Sequence, residues 1–335
     1  MNLRFSFIIP VYNRPQEIDE LLTSFTQLNT NEKYEIVIIE DGSAQSSKPI
    51  IEKYNSELNI AYFEKENSGP GDSRNFGMQK ASGNYFIILD SDVILPETYL
   101  VAAKAYLAQH PVDCFGGPDD AEQNFSEVQK AINMVMTSFL TTGGIRGKSK
   151  NIKSYEPRSF NMGLSKKAFE ATGGFGNIHP GEDPELVIKL KRLGFKIGFI
   201  QKAFVYHKRR IDWQKFYQQV NKFGKVRPIL NYHYPESKSL VFWFPSLFLL
   251  GSLIALFLAF AKIYLPLILL GIYLGGVFLE ALFKYKSLKI AIYSLRALFI
   301  QFFGYGIGFL KSTLYIRVLK KKPETVFPNL FFKKK

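Results

Sequence analysis

Cysteine is almost absent from this chain, with Cys114 alone in 335 residues. That excludes an internal disulfide and suits a reducing compartment, where a lone thiol is a small apolar filler. No secretory leader is expected either. Met1 to Asn13 runs straight into a strand-like pattern, without the apolar core length or small-residue cleavage site of a signal. The part that follows is therefore expected in the cytoplasm. Acid is in short supply, with 29 Asp and Glu against 43 Lys and Arg, a net charge of +14. Such an excess raises nucleic acid as a partner, but 8 of the basic residues lie between Lys311 and Lys335, beside strongly apolar segments. An anionic membrane surface explains that placement better, so no nucleic acid is expected. No internal repeat is visible.

What is present is length enough for a full α/β core and an appendage. Phe5–Val11, Glu35–Ile39, Ile60–Phe63 and Tyr85–Leu89 read as strands. The runs Ile36-Val37-Ile38-Ile39 and Phe86-Ile87-Ile88-Leu89 are apolar on consecutive residues, which marks strands covered on both faces. Between the first two strands, Ile18, Leu21, Leu22 and Phe25 recur at helical spacing after Pro15, a residue suited to a first helical turn. This is the βαβ rhythm of a nucleotide-binding sheet. The stretch from Gly116 to Tyr155, with its basic Arg146–Lys153, reads as polar and irregular, a mobile substrate loop or lid. Strand and helix patterns resume at Phe160–Leu164, Lys166–Ala171 and Pro184–Leu193.

The last third has a different solvent. Ser239 to Ala261 is 23 residues without a charge, and Ile263 to Phe283 is 21 residues with only Glu280 charged. Each is long enough to cross a bilayer core, and the near-neutral turn at Lys262 puts both ends on the cytoplasmic side. A third apolar segment, within 290–312, is uninterrupted only over Ala297–Leu310, 14 residues between Arg296 and Lys311. It reads as re-entrant, interfacial or a tilted third span, with the former two favoured by its length. The domain plan is thus a catalytic part over 1–208, a linker with an amphipathic helix over 209–238, membrane helices over 239–318 and a basic tail over 319–335. On that helix Trp213, Phe216, Tyr217, Val220 and Phe223 fall on one face and Lys215, Lys222, Lys225 and Arg227 lie between or after them. It reads either as an interfacial helix or as one packed on the catalytic part.

Chemistry is carried by short acidic and glycine-rich motifs. Asp90-Ser91-Asp92 lies just past the carboxyl end of a buried strand, where open α/β sheets bind ligands. A diphosphate there needs a divalent cation. Hard Mg²⁺ or Mn²⁺ prefers oxygen ligands, so one carboxylate can reach the metal while the other takes ribose or a metal-bound water. A plain turn or helix cap is the alternative for this motif. Asp183, directly before Pro184, has the form of a helix N-cap. His207 follows a probable strand, and an imidazole can hold Mn²⁺ when neutral or a diphosphate when protonated.

These motifs, taken in order with Phe7-Ile8-Ile9-Pro10-Val11-Tyr12-Asn13, Ile39-Glu40-Asp41-Gly42-Ser43 and Gly69-Pro70-Gly71-Asp72-Ser73-Arg74-Asn75, resemble the bacterial family-two inverting glycosyltransferases of GT-A fold. The likeness runs from about residue 5 to 208. It implies a Rossmann-like mixed sheet, a nucleotide-sugar donor and Mn²⁺ or Mg²⁺. It also implies donor contacts from Pro10, Tyr12, Asp41, Arg74 and Asp90, and a metal held by Asp92 and His207. Asp183 would take the proton from the acceptor hydroxyl. Asn161, Met162, Gly163 and Glu182 would lie on the acceptor side. Glu40 and Asp72 depart from the family's usual aspartate and alanine. Gln218-Gln219-Val220-Asn221-Lys222-Phe223 departs from the Gln-x-x-Arg-Trp of processive synthases, which favours transfer of a single sugar to a lipid-linked or surface-polysaccharide acceptor. A polyprenyl-phosphate glycosyl synthase and a catalytically silent membrane scaffold are the other two readings.

Overall fold

A computed structural model describes residues 3–120, 125–143, 155–207 and 212–332. In chain order it opens with β1 (Phe5–Val11), α1 (Pro15–Thr26), β2 (Tyr34–Asp41), α2 (Lys48–Ile51), β3 (Ile60–Lys65) and α3 (Pro70–Lys80). There follow β4 (Tyr85–Leu89), β5 (Val93–Ile94), α4 (Tyr99–Gln109), β6 (Cys114–Gly116) and β7 (Asp119–Asp120). Next are α5 (Glu127–Thr137), α6 (Phe139–Thr142), β8 (Asn161–Ser165), α7 (Lys166–Thr172), α8 (Glu182–Arg192), β9 (Ile197–Phe199) and β10 (Val205–His207). The chain closes with α9 (Trp213–His233), α10 (Phe244–Phe260), α11 (Leu265–Tyr285), α12 (Leu288–Thr313) and α13 (Pro323–Val326). Contacts divide these elements into two units: Met1–Glu122 with Lys148–Lys208 and Phe331–Lys335, and Gln123–Gly147 with Arg209–Leu330.

The first unit is built on a seven-stranded sheet of order β3-β2-β1-β4-β8-β6-β9. The first four strands are parallel, and β8 runs antiparallel between β4 and β6. Consecutive apolar residues in β1 and β2 serve two cores. Phe7 and Ile9 pack with Ile18, Leu21 and Phe25 of α1 and Tyr99 of α4, whereas Ile8, Val37 and Ile39 pack with Met78 of α3 and Leu186 and Leu190 of α8. Each such buried side chain contributes about 1.5–3 kcal/mol, so neither face of these strands can be turned to water. Strand order reverses beside β1, and the carboxyl ends of β1, β2 and β4 meet there. A three-stranded sheet, β5-β10-β7, lies next in the chain after β4. Cys114 is buried and free.

The second unit is helical, and the structure corrects one reading of the sequence. The stretch taken as polar and irregular contains α5, which begins with a capping box: Ser126 accepts from the Gln129 N–H while the Gln129 side chain accepts from the Ser126 N–H. Its Ile132, Met134, Val135 and Met136 are buried with Phe216, Val220, Val277 and Phe302. The basic run Arg146–Lys153 lies outside the described residues. The third apolar segment lies within one continuous helix, α12, that includes Arg296. That guanidinium stacks over the Trp213 ring, 4.8 Å from its centroid, and α12 continues past it. Three helical spans, Leu240–Phe260, Leu265–Tyr285 and Leu288–Val318, are long and apolar enough to cross a membrane. Leu253, Ile254, Phe257, Ile268, Leu269 and Ile272 are exposed along the first two, an apolar surface that water would not tolerate.

Helix α9 is packed on α12, its backbone in near contact. A Cβ on Gly224 would overlap the Tyr305 carbonyl, and one on Gly308 would overlap the Asn221 carbonyl. Asn221 Nδ2 donates to the Gly304 carbonyl at 2.9 Å across the same seam. Small residues let two helices approach this closely where apolar burial no longer distinguishes protein from lipid. Gly224→Val should lower the thermal midpoint of the detergent-solubilised protein, with a cost of roughly 1–3 kcal/mol because backbone cannot move aside. Gly251→Val is the control, since no atom lies within 4 Å of a Cβ there. Equal midpoints in the two variants would refute the seam.

Candidate active site

The loop after β1 is tied to the loop after β2. Asn13, at φ +54°, accepts on Oδ1 from the Ala44 and Gln45 N–H groups at 2.8 and 3.3 Å, and its own N–H donates to Ser43 Oγ at 2.8 Å. Pro10 pairs opposite Ile39, one residue before the strand ends at Val11, and Tyr12 projects from the loop at 53% exposure. Glu40 is buried, accepting from the Ser47 N–H at 2.8 Å and from the Ser43 hydroxyl. The glutamate thus braces the loop that follows β2. Asp41 is buried beneath the glycine turn. Its Oδ1 accepts from Lys65 Nζ at 2.8 Å and the Ser68 N–H at 3.0 Å, and its Oδ2 from the Gly69 N–H at 3.0 Å.

Gly69 has φ +94° and caps α3, a conformation that glycine adopts without the strain of a Cβ. One turn further on, Arg74 lies where a donor phosphate contact was expected, and here the geometry differs. The guanidinium is 4% exposed, donating to Asp90 Oδ1 at 2.7 Å and Glu182 Oε1 at 3.0 Å, with Phe175 5.3 Å from Cζ. Packing between two carboxylates turns it inward. The Asp90 carboxylate retains 33% exposure. Asp92 is less open and pairs with Arg14, a cation that sequence reading passed over although it directly follows the Tyr12-Asn13 motif.

Helix α8 starts earlier than Pro184 suggested. Gly181 is the cap, Glu182 and Asp183 occupy the first turn, and the capping role expected of Asp183 belongs to the residue two before it. Glu182 is buried; desolvation alone would raise its pKa, but the hydrogen bond from His179 at 3.2 Å and the charge of Arg74 outweigh that and hold it well below the usual carboxylate range. Asp183 is partly exposed and meets Arg158 Nη1 at 3.5 Å, while Arg158 Nη2 meets Glu156 at 3.5 Å. Arg158 was also missed. No periodicity marks it, because its placement depends on the bridge it forms with Asn161.

The residues expected on the acceptor side fall inside the protein instead. Asn161 is fully buried, accepting from the Tyr99 hydroxyl at 2.6 Å and donating to the Ala203 carbonyl at 2.8 Å. Met162 is fully buried, and Gly163 lies under the Phe115 ring. Their strand, β8, pairs with β4, Asn161 opposite Leu89, and so braces the strand that delivers Asp90. His207 is paired by its backbone with Val93, the residue after Asp92; its side chain lies outside the described residues. Among the described residues no three His, Cys, Asp or Glu side chains form a metal-holding group.

Comparison with known proteins agrees with this architecture. The sequence model for glycosyl transferase family 2 matches residues 6–173, and the chain belongs to that family. The poly(ribitol-phosphate) β-N-acetylglucosaminyltransferase TarS of Staphylococcus aureus is 32% identical over 114 residues, covering 33% of this chain and 20% of TarS. Chondroitin synthase of Escherichia coli is 25% identical over 234 residues, 60% of this chain and 34% of that protein. The chain therefore spans between a fifth and a third of the length of these relatives. Among solved structures, the mannosyltransferase PcManGT of Pyrobaculum calidifontis, in complex with GDP-Man and Mn²⁺, superposes with a TM-score of 0.59 at 15% identity over 96% of this chain and 89% of its own. The fold is GT-A.

Proposed function

We propose that this chain is a membrane-anchored, metal-dependent inverting glycosyltransferase. It moves a single sugar from a nucleotide-diphosphate sugar to a lipid-linked or surface-polysaccharide acceptor at the cytoplasmic face of the inner membrane. The observation that carries the reading is the ion chain Asp90–Arg74–Glu182. It joins the acid after β4 to the residue next to Asp183, so the donor-side carboxylates and the base share one rigid support. The oxygen donors of Asp90 and Asp92 suit Mg²⁺ or Mn²⁺, and His207, whose backbone pairs with Val93, would be the nitrogen donor of the set. A bound ion would supply charge to the departing diphosphate. Asp183 would take the proton of an acceptor hydroxyl as that oxygen bonds to the anomeric carbon and the bond to the diphosphate breaks on the opposite face. The three apolar helices support membrane attachment, and because Phe331 returns to the catalytic unit, two crossings with the third helix re-entrant or interfacial keep both ends on the cytoplasmic face.

A second reading, transfer to polyprenyl phosphate, draws support from Arg158. A guanidinium beside the base suits an acceptor that arrives as an anion and needs no deprotonation. Donor binding is tested first. Full-length protein melted with a panel of nucleoside diphosphates should gain stability from one base in Mn²⁺ or Mg²⁺ and lose that gain in chelator. The gain reaches about 2.7 kcal/mol at a hundred times the dissociation constant. Indifference to every base with either ion would sink the transferase reading and leave a silent scaffold.

A further inference from the structure

The chain leaves the catalytic unit near residue 208, passes through the helical elements and rejoins the catalytic unit at Phe331. Phe331 forms an antiparallel bridge with Ile178. The Phe332 N–H donates to the Asn177 carbonyl at 2.9 Å, and Asn177 Nδ2 donates back to the Phe332 carbonyl at 3.2 Å. Two residues of tail are thus bonded to one loop on both edges. The ring of Phe332 then reaches a different loop. It lies against Gly69 so closely that a Cβ there would overlap the ring, while on its other side it packs 5.9 Å from the His179 ring.

Both of these loops serve the site. Gly69 donates to Asp41 and accepts from the Ser73 N–H at 3.0 Å, which starts the helix that carries Arg74. The other loop is fixed at Phe175 by a two-way bond with Asn75 and then runs through Asn177 and His179 to Glu182 and Asp183. Between them is a cavity of ≈ 320 Å³ bounded by Ser68, Asp72, Asn75, His179, Lys189 and Phe332. The aromatic ring forms one wall of this cavity and contacts the glycine turn and the base-bearing loop together.

We propose that Phe332 is a positioning residue: a clasp that holds the Gly69 turn and the Asn177–His179 loop in one arrangement, and so sets affinity for the nucleotide end of the donor. The affinity half rests on the transferase reading above; the clasp itself does not. A turn held in its bound shape is not ordered anew when ligand arrives, and that saving appears as tighter binding. Gly69 is suited to this contact because a Cβ there would overlap the ring.

Amide hydrogen exchange on the full-length protein tests the clasp. In Phe332→Ala, peptides covering 68–75 and 176–183 should both exchange roughly tenfold faster, because opening of each loop loses the same restraint. The dissociation constant for the stabilising nucleoside diphosphate should rise by a similar factor, and Phe332→Tyr should restore both readouts. Asn177→Ala, which removes only the side-chain bond to the tail, should move them in the same direction by less. Faster exchange confined to 176–183, or in neither segment, overturns the clasp. Unchanged nucleotide affinity with both segments loosened overturns the affinity half alone. Should wild-type protein bind no nucleoside diphosphate, the donor reading fails and the exchange result still decides whether Phe332 joins the loops.

Discussion

Asp183→Asn should lower kcat for transfer to a hydroxyl acceptor by roughly 10²–10⁴-fold, the usual contribution of a positioned general base. The amide keeps the shape of the side chain and its place in the first turn of α8, so the fold is preserved. What disappears is a site able to accept a proton. Affinity for the nucleoside diphosphate should stay within about threefold, because binding uniform to ground and transition states is untouched. The same variant separates the two acceptor readings. With polyprenyl phosphate the nucleophile is already an anion, and activity of Asp183→Asn near the wild-type level would favour that reading. Retained transfer to a hydroxyl acceptor would remove Asp183 from the mechanism. Arg158, 3.5 Å from Asp183, is the cation beside the proposed base.

Arg74→Met should be the most destabilising single change in the catalytic unit. It leaves Glu182 buried without its cation, and breaking a buried pair in this way costs about 3–5 kcal/mol. The Asp90 half of the loss is smaller, because that carboxylate is a third exposed and water screens it. Arg74→Lys should recover only part, since one ammonium cannot reproduce two separate guanidinium contacts. The pH dependence has a definite sign. Glu182 is held below its ordinary 4.5, near about 2 in the folded protein. Its stabilisation is therefore complete above 4.5 and is lost as pH falls from there toward 2. Thermal melts across that window should show a steeper acid loss in wild type than in Glu182→Gln. Parallel curves would mean that the ion chain is not what holds Glu182 charged.

Much of this arrangement is legible from the chain. Consecutive apolar residues in β1, β2 and β4 give strands covered on both faces, and the acids Asp41, Asp90 and Asp92 at their carboxyl ends follow directly. Asp183 reads as the cap of its helix, but the helix starts two residues before Pro184 and Gly181 serves as cap. Other features are not local. Arg74 reads as a free cation near a glycine turn, and only the fold supplies Glu182, 108 positions away, to draw it inward. Asn161 is placed on the acceptor side only by the family resemblance; Tyr99 and Ala203, which satisfy it, come from distant segments. Helix α5 was hidden by length, since 11 residues between polar neighbours give periodicity little room, and its capping box was the better signal.

That short helix has a practical consequence. The family match ends at residue 173, and α5 lies wholly within it, yet α5 buries its apolar face among α9, α11 and α12. Ser138 donates to Glu280 of α11 at 2.6 Å, and Lys289 of α12 meets Glu127 at 2.6 Å. A soluble fragment cut after the last strand of the catalytic unit would keep α5 and discard everything that α5 rests on. Ile132, Met134, Val135 and Met136 would then face water, an adhesive stripe on an otherwise well-formed enzyme. A fragment limited to the catalytic unit should accordingly omit Gln123–Gly147, which groups with the helices.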